Sequence, residues 1–567
     1  MKLETFFKHF DLLAEAPNGV QKLRELILDL AVRGKLVPQD ANDEPAAVLL
    51  ERIKKEKERL VSKKKKNIDS ELIQPIKLNE ISYKLPSSWE WTRLGSIINS
   101  LTGGGTPSKN NPLFWGGDIP WASVKDLKGN KYLTTTIDYI TEKGLHQSSS
   151  NFILKGKVII CTRMGLGKIA INTIDVAINQ DLKAIELAEG IDVNYFYNFY
   201  LTQNIVGTGV TVSGIRQSEL INFLVPIPPL AEQKRIVTKV DELMKLCDEL
   251  EARQKKKRET RILINNAALN KLLTAETPET FTKNWQCIGD NFDILYSAPE
   301  NIGKLRQAIL QLAVMGKLVP QDANDEPAAV LLERIKKEKE RLVKEGKVSK
   351  SQLSSKDKNE NEYISFTLPK TWKWATINDI TSQVTDGEHA TPPRINIPEI
   401  PLATAKNVRD GYLDLTNTDF VSYETAEKCW KRCEPIHNDI LMVCVGATTG
   451  RLCLIKEPPK ITIVRSVALI RPFANYIYPE YIALVIKSPI GQNQIWNKVK
   501  QSAQPCLYIN KIQSIYLSIP PLNEQKRIVT KVDKLMKLCD ELETKLTQTQ
   551  TEREKIINAA VKQLLTV

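Results

Sequence analysis

The sequence predicts an α+β protein: two globular domains separated by two long antiparallel coiled-coil helices, arranged as a pseudo-twofold internal repeat. Three observations predict it. Gly34–Val61, GKLVPQDANDEPAAVLLERIKKEKERLV, returns unchanged at Gly316–Val343, 282 residues later. EQKRIVTKVD and MKLCDELE, at Glu232 and Met244, return at Glu524 and Met536, 292 residues later. Between these repeated blocks stand two inserts that share an opening LPxxWxW, at Leu85–Trp91 and Leu368–Trp374, and then diverge. A repeat of this length is the mark of a duplicated structural unit.

Taken in order, residues 1–83 form a helical region carrying the first copy of the repeat. Weaker matches at Phe10, Asp11, Leu13, Ala16 and Pro17 extend that copy upstream to its partners at Phe292–Pro299. Residues 84–227 are the first insert. Short Val/Ile-rich runs such as Val158–Ile160, punctuated by Gly, Asn and Pro, read as strands joined by loops. Residues 228–273 are one long helix, because Ile236, Val240, Leu243, Cys247 and Leu250 step by 4, 3, 4 and 3 with no Pro or Gly from Leu230 to Leu273. That spacing is a coiled-coil seam. Residues 274–365 hold the second copy of the repeat and a linker, and 366–519 are the second insert, with Ile440–Val445 as a strand. Residues 520–567 repeat the long helix, its seam at Ile528, Val532, Leu535, Cys539, Leu542 and Leu546. A helix of this span is about 65 Å long, too long for the core of one small domain. Antiparallel pairing of the two helices would hold the inserts apart like the ends of a dumbbell. Polar stretches at Lys63–Glu71 and after Val343 read as solvated linkers.

Composition narrows the function. Across 567 residues there are 80 Lys+Arg against 67 Asp+Glu, a formal charge of +13, which points to polyanionic partners. Hydrophobic and charged shares of 42% and 26% are those of a folded protein rather than a disordered one. No apolar run reaches membrane-spanning length and the N-terminus lacks a signal-peptide layout, so a cytoplasmic, membrane-free protein is expected. The odd number of cysteines, nine, fits reduced thiols.

Several catalytic signatures are missing. No GxxxxGK[ST] occurs, and Gly165–Lys168 lacks the spacing of a phosphate cradle. None of the Pro-Pro pairs at 228, 392, 458 and 520 precedes an aromatic residue, as the base-holding pocket of amino-methyltransferases requires. Cys429, Cys433 and His437 approach metal-ligand spacing without a second pair, so no metal site is expected. Four histidines leave little for acid–base catalysis. The chain reads as a non-catalytic binder with no cofactor of its own.

Loops of binding type occur in both inserts. The first carries Leu101–Ser108, LTGGGTPS, followed by Lys109, then Thr162–Lys168 and Gly214–Arg216; the second carries Asp386–Pro392, DGEHATP, with Arg394, then Gly446–Arg451. Glycine lets backbone approach a ligand, while hydroxyls and cations reach phosphates or base edges. Insert one has thirteen Lys+Arg against eleven Asp+Glu, insert two seventeen against thirteen. Such mixed surfaces favour a few placed cations over a blanket of positive charge. Unlike inserts predict unlike targets, and an unchanged repeat predicts two copies of one partner about a pseudo-twofold axis.

With these features assembled, the chain resembles the specificity subunit of type I restriction-modification enzymes over nearly its whole length. The local marks are Pro226–Val237, PIPPLAEQKRIV, with its copy at Ile519–Val529, and the loops at 104–108 and 386–392. The resemblance implies that each insert is a target-recognition domain reading one half of a bipartite, asymmetric site in double-stranded DNA, and that the helices set the gap. It also implies two methyltransferase subunits docked on the repeated segments to make an adenine methyltransferase, and two motor-nuclease subunits that add restriction. S-adenosylmethionine, ATP and Mg²⁺ belong to those partners. The candidate DNA-contacting residues are Thr106, Ser108, Lys109, Arg163, Lys168 and Arg216 in the first domain, and His389, Thr391, Arg394, Arg451 and Gln504 in the second. Arginine prefers a guanine edge and glutamine an adenine edge. Two other classes compete: a self-contained nuclease with an unrecognised metal site, which would cut DNA alone with Mg²⁺, and a coiled-coil scaffold whose inserts bind proteins indifferently to DNA.

Overall fold

The computed structural model describes residues 10–62, 72–205, 207, 214–348, 366–457, 460–500 and 504–566. The linker Lys63–Glu71 and positions 349–365 of the second linker lie outside the described residues. The chain divides into two compact units, Met1–Lys256 with Thr549–Val567, and Lys257–Gln548. The first holds α1 (Gly19–Val32), α2 (Ala46–Ser62), α3 (Val193–Leu201) and most of α4 (Leu230–Leu273). The second holds α5 (Pro299–Val314), α6 (Ala328–Lys344), α7 (Pro479–Lys487) and most of α8 (Leu522–Thr566). Among the described residues no helix is long and apolar enough to cross a membrane.

In the first unit the seam of α4 is buried. Ile236, Val240, Leu243, Cys247 and Leu250 pack in one cluster with Leu23, Leu26, Ile27 and Leu30 of α1 and with Ile557 and Leu564 near the end of α8. The seam is thus shared among several helices, and each fully buried Leu or Ile in it contributes about 1.5–3 kcal/mol. Polar contacts fix the register: Arg24 Nη2 lies 2.6 Å from Asp248 Oδ1 and 2.8 Å from Glu251 Oε2. Lys35 Nζ donates to the Leu565 carbonyl at 3.2 Å, satisfying an orphan acceptor at the C-terminus of α8.

The second unit repeats the seam and its main polar contacts. Ile528, Val532 and Cys539 of α8 are buried in one cluster with Ile302, Ile309 and Ala313 of α5, and Leu535, Leu542 and Leu546 pack half-buried against it. Arg306 reaches Asp540 and Glu543 at 2.6 and 2.8 Å. Lys317 Nζ donates to the carbonyls of Leu273 and Ala275 at 3.0 and 2.7 Å, closing the end of α4. Each unit therefore contains the first half of one long helix beside the end of the other, an antiparallel pairing generated by the internal repeat.

The LPxxWxW motif joins each insert to this frame. Gly34 and Gly316 adopt φ of 67° and 71° where the repeat turns after α1 and α5. A Cβ at either would press on the ring of Pro86 or Pro369. The buried indole of Trp89 donates to Glu232 Oε2 at 3.0 Å, and Trp372 donates to Glu524 Oε2 at the same distance. Gln39 and Gln321 supply the second donor to each carboxylate, at 2.6 and 2.7 Å. The adjacent Gln233 and Gln525 accept from the backbone N–H of Asp192 and Tyr478, at 2.7 and 2.8 Å, just ahead of α3 and α7. The repeated Glu-Gln pair is thus the joint between helix, repeat and insert.

Within the first insert a two-stranded ribbon, β1 (Glu90–Arg93) with β11 (Leu224–Ile227), ties the two ends together. Inside it, one sheet has the order β2-β10-β7-β8-β4 and a second β5-β3-β9-β6. The main strands are β2 (Ile98–Gly103), β3 (Trp115–Ala122), β5 (Asp138–Ile140), β7 (Val158–Cys161), β8 (Ile169–Asn172), β9 (Val176–Ile178) and β10 (Leu182–Leu187). Short β4 (Tyr132–Leu133) and β6 (Asn151–Ile153) complete the edges. Both faces of the central strands are covered: Val158 and Ile160 point into one cluster, Ile159 and Cys161 into another. That double burial explains an apolar run without alternation.

The second insert, despite its divergent sequence, has the same plan. β12 (Lys373–Thr376) pairs with β20 (Tyr516–Ile519). One sheet runs β13 (Thr381–Asp386), β19 (Val467–Pro472), β16 (Ile440–Val443), β17 (Leu452–Leu454), and the other β15 (Asp419–Val421), β14 (Ile400–Ala403), β18 (Thr462–Ile463). The single parallel pair of the small sheet is kept as well, β3 with β9 and β14 with β18.

Candidate nucleic-acid interface

Three chain segments meet at one edge of each domain, held by matching backbone hydrogen bonds. The loop after β2 begins at Gly104, where a Cβ would collide with the Ile178 carbonyl oxygen; the loop after β13 begins at Gly387, where it would collide with the Ile463 carbonyl oxygen. Only glycine fits such an approach. The next residues, Gly105 and Glu388, donate to those same carbonyls at 3.0 Å. Thr162 and Cys444, after β7 and β16, donate to Asp181 and Ser466 at 2.9 Å. Ile215 and Leu507 then donate to Thr162 and Cys444, at 2.9 and 2.8 Å. Isolated bridges Arg163↔Gly214 and Val445↔Cys506 complete the match.

This scaffold brings most of the first domain's expected residues together. Thr106 hydrogen-bonds the side chain of Gln180, and Arg163 Nε lies 3.8 Å from Asp181 Oδ1. Lys168 closes the same β7–β8 hairpin, its carbonyl accepting from Cys161 at 3.0 Å. Arg216 is the N-cap residue of the short helix Gln217–Ile221 that follows the third segment. Arg163, Lys168 and Arg216 are exposed, as are Ser108 and Lys109 further along the glycine loop, and Trp115 Nε1 pins the Ser108 carbonyl at 3.1 Å. Met164, beside Arg163, combines φ of 25° with 63% exposure, a conformation uncommon outside glycine. Burial lowers the pKa of Lys183, which lies across the strand pair from Gly103.

In the second domain His389 takes the place of Thr106. Its Nε2 sits 2.8 Å from Asp386 Oδ2 and 3.0 Å from Arg432 Nη2, and Arg432 also binds Asp386. Arg451 is half-buried and occupies the place of Lys168, its carbonyl accepting from Val443 at 2.8 Å. Arg394 stands apart, engaged with Asp419 at 3.2 Å, and Thr391 is exposed between His389 and Arg394. Gln504 lies two residues ahead of the Cys506 bridge, next to Gln501–Ala503, which are outside the described residues. The residue in the position of Arg216 is Tyr508, 52% exposed, and the residue in the position of Arg163 is Val445. Arg432, Tyr508 and the pair Gln180 and Arg465 are edge residues that sequence reasoning missed. Tyr508 had a signal, since it lies 292 residues after Arg216, the offset of the helix repeat.

Among the described residues no three His, Cys, Asp or Glu side chains gather as a metal-ligand set. Cys429 and Cys433 are buried, and burial pushes the Cys433 thiol up to about 12.

A duplicated helical frame carrying two domains of one fold, with different side chains at matching edge positions, defines a two-target recognition protein. Comparison with known proteins makes the assignment specific. The family model for the type I restriction modification DNA specificity domain matches residues 86–259 and 369–550. The chain belongs to that family. It is similar to the type I restriction enzyme EcoAI specificity subunit of Escherichia coli, with 30% identity over 92% of this chain and 90% of the relative. The EcoEI specificity subunit of Escherichia coli is 29% identical over 95% and 93% of the two chains. Among solved structures, the HsdS subunit from Thermoanaerobacter tengcongensis aligns over 85% of this chain and 98% of its own, with 17% identity and a TM-score of 0.42. The protein is thus a specificity subunit of a type I restriction-modification system, with two recognition domains.

Proposed function

We propose that each domain reads one half of a bipartite, asymmetric site in double-stranded DNA and that the α4 and α8 helices set the gap between halves. The observation that carries this reading is the shared edge scaffold with unlike side chains on it: Thr106, Arg163, Lys168 and Arg216 against His389, Val445, Arg451 and Tyr508. One backbone frame with exchanged side chains suits one mode of groove contact with two different sequences.

Partner docking follows from the unchanged repeat. α2 and α6 present the same outward residues in both units, with Val48 and Val330 50% and 42% exposed and Arg52 and Arg334 paired to Glu44 and Glu326. Two identical surfaces suit two copies of one methyltransferase subunit. Such an assembly would methylate adenine in the cytoplasm and, with two motor-nuclease subunits, restrict unmodified DNA. S-adenosylmethionine, ATP and Mg²⁺ would act on the partners, leaving this chain non-catalytic.

The test is co-expression with the methyltransferase encoded beside it and genome-wide mapping of methylated adenine by single-molecule sequencing. The expected result is a two-part motif with an unread gap, one half changing when 84–227 is exchanged and the other when 366–519 is exchanged. An assembled complex that adds no methylation, or one whose exchanged insert alters both halves, would overturn the reading.

A further inference from the structure

A second turn lies against the glycine loop in each domain, and none of the DNA-contacting residues expected from the sequence belongs to it. In the first domain it is Asn179–Asp181, between β9 and β10; in the second it is Val464–Ser466, between β18 and β19. Both turns are closed on themselves, Leu182 N–H to the Asn179 carbonyl at 3.2 Å and Val467 N–H to the Val464 carbonyl at 2.8 Å. Both are clamped to the third strand by the Asp181 and Ser466 carbonyls, which accept from Thr162 and Cys444. The Arg465 N–H adds a bond to the Glu388 carbonyl at 3.0 Å. The residue at the middle of each turn is therefore held on a rigid backbone beside Thr106 or His389. That residue is Gln180 in one domain and Arg465 in the other, and both are exposed.

The arginines of these edges divide between those tied to a carboxylate and those left to meet a ligand. Arg163, Arg394 and Arg432 each have a carboxylate within 4 Å, whereas Arg465, like Arg216 and Arg451, makes no ion pair among the described residues. Gln180 uses its carbonyl oxygen to accept from Thr106, which orients the amide and leaves its two N–H donors unspent. Holding a long polar side chain by its neighbour in this way lowers the entropy lost when it binds.

We propose that Gln180 and Arg465 are a matched pair of specificity-determining residues, each reading a base edge in the half-site of its own domain. This rests on the half-site reading above. The exchange of residue type argues for bases over phosphates. A phosphate anchor at equivalent positions gains from a cation in both domains, and Gln180 carries no charge. Bidentate base contacts use these two side chains for different letters, glutamine for adenine and arginine for guanine.

The experiment uses the full chain in complex with its methyltransferase and a panel of duplexes carrying every single-base change in both half-sites. Arg465→Ala is expected to lower discrimination at one position of the second domain's half-site by roughly tenfold or more, leaving the other half-site unchanged. Arg465→Lys should relax the same position, because lysine keeps the charge and loses the planar fork. Gln180→Ala should relax one position in the first domain's half-site. Intact reading of the untouched half-site shows that each variant is folded and assembled. Uniform weakening over all duplexes, restored by lysine, would make Arg465 a phosphate contact and overturn the proposal. Unchanged discrimination in both alanine variants would overturn it as well. A wild-type complex that discriminates nowhere would instead sink the half-site reading itself.

Discussion

Replacing Trp89 by Phe tests the joint on which each domain is hung. The indole N–H is one of two donors to the fully buried Glu232 carboxylate, at 3.0 Å, and Gln39 is the other, at 2.6 Å. Burial raises the pKa of Glu232, against the lowering effect of these hydrogen bonds and of the nearby Arg235 charge. Removing a hydrogen bond to a buried charged acceptor costs about 2 kcal/mol. The smaller ring at a site 3% exposed adds about 1 kcal/mol of lost packing. Trp89→Phe should therefore destabilise the first unit by about 3 kcal/mol, close to 5 °C in Tm for a unit of its size. Trp372→Phe should cost the same, since Trp372 and Gln321 repeat the geometry at Glu524 in the other unit. The two losses should add, because the sites share no neighbours. The sign of the pH dependence follows from the raised carboxyl. A folded-state pKa above the unfolded one means that the penalty is present at neutral pH and fades as pH falls through the folded value. Trp89→Phe raises that value further, so its deficit should shrink as the solution is acidified. Urea denaturation followed by circular dichroism between pH 7 and the acid range measures both quantities. A deficit below about 0.5 kcal/mol, or one independent of pH, would refute the view that Glu232 is a charged hub held by its donors.

The same geometry gives further expectations. Gly104→Ala should abolish recognition by the first domain while the second still binds, and Gly387→Ala the reverse, because a Cβ at either meets a backbone carbonyl; half-site footprints of the two variants check this. Arg24→Ala should loosen α1 from α4 by about 1 kcal/mol, the pair being partly exposed, and Arg306→Ala should match it in equilibrium denaturation. Stability should fall between about pH 9 and 11, since burial lifts the thiols of Cys161 and Cys247 to about 11 and those of Cys433, Cys444 and Cys453 to about 12. Groups with raised folded pKa values stabilise below their ordinary value and lose that contribution as pH rises through the folded one. Lys57 and Lys339, lowered to about 8 by burial, act oppositely but are outnumbered, and urea midpoints across this range should show the net decline. Deleting four residues from Lys255–Leu263 of α4 should change the preferred gap in a methylation map and leave both half-sites intact.

How much of this was legible follows from how each part is encoded. The frame is written in local spacing: the 4-3-4-3 steps of α4 survive as a buried seam because a helix places such residues on one face whatever it packs against. Which partner fills that seam was not legible. Heptads alone pointed to the other long helix, while α1 and α5 share it through contacts more than two hundred residues apart, such as Arg24 with Asp248. The edge residues are harder still, because strand order brings together loops that nothing local connects. Thr106, Gln180 and Arg163 meet only because β10 lies between β2 and β7. Glycine-rich punctuation marks Thr106 and His389, but Gln180 and Arg465 sit in three-residue turns without glycine, where Asn179, Asp181 and Ser466 signal only a turn. One residue was within reach. The repeat offset of 292, carried upstream from Glu232 to Arg216, lands on Tyr508, and Gly214 lands on Cys506. Divergence of the side chains hid that match, and divergence at fixed backbone positions is what two domains of one fold need in order to read two different sequences.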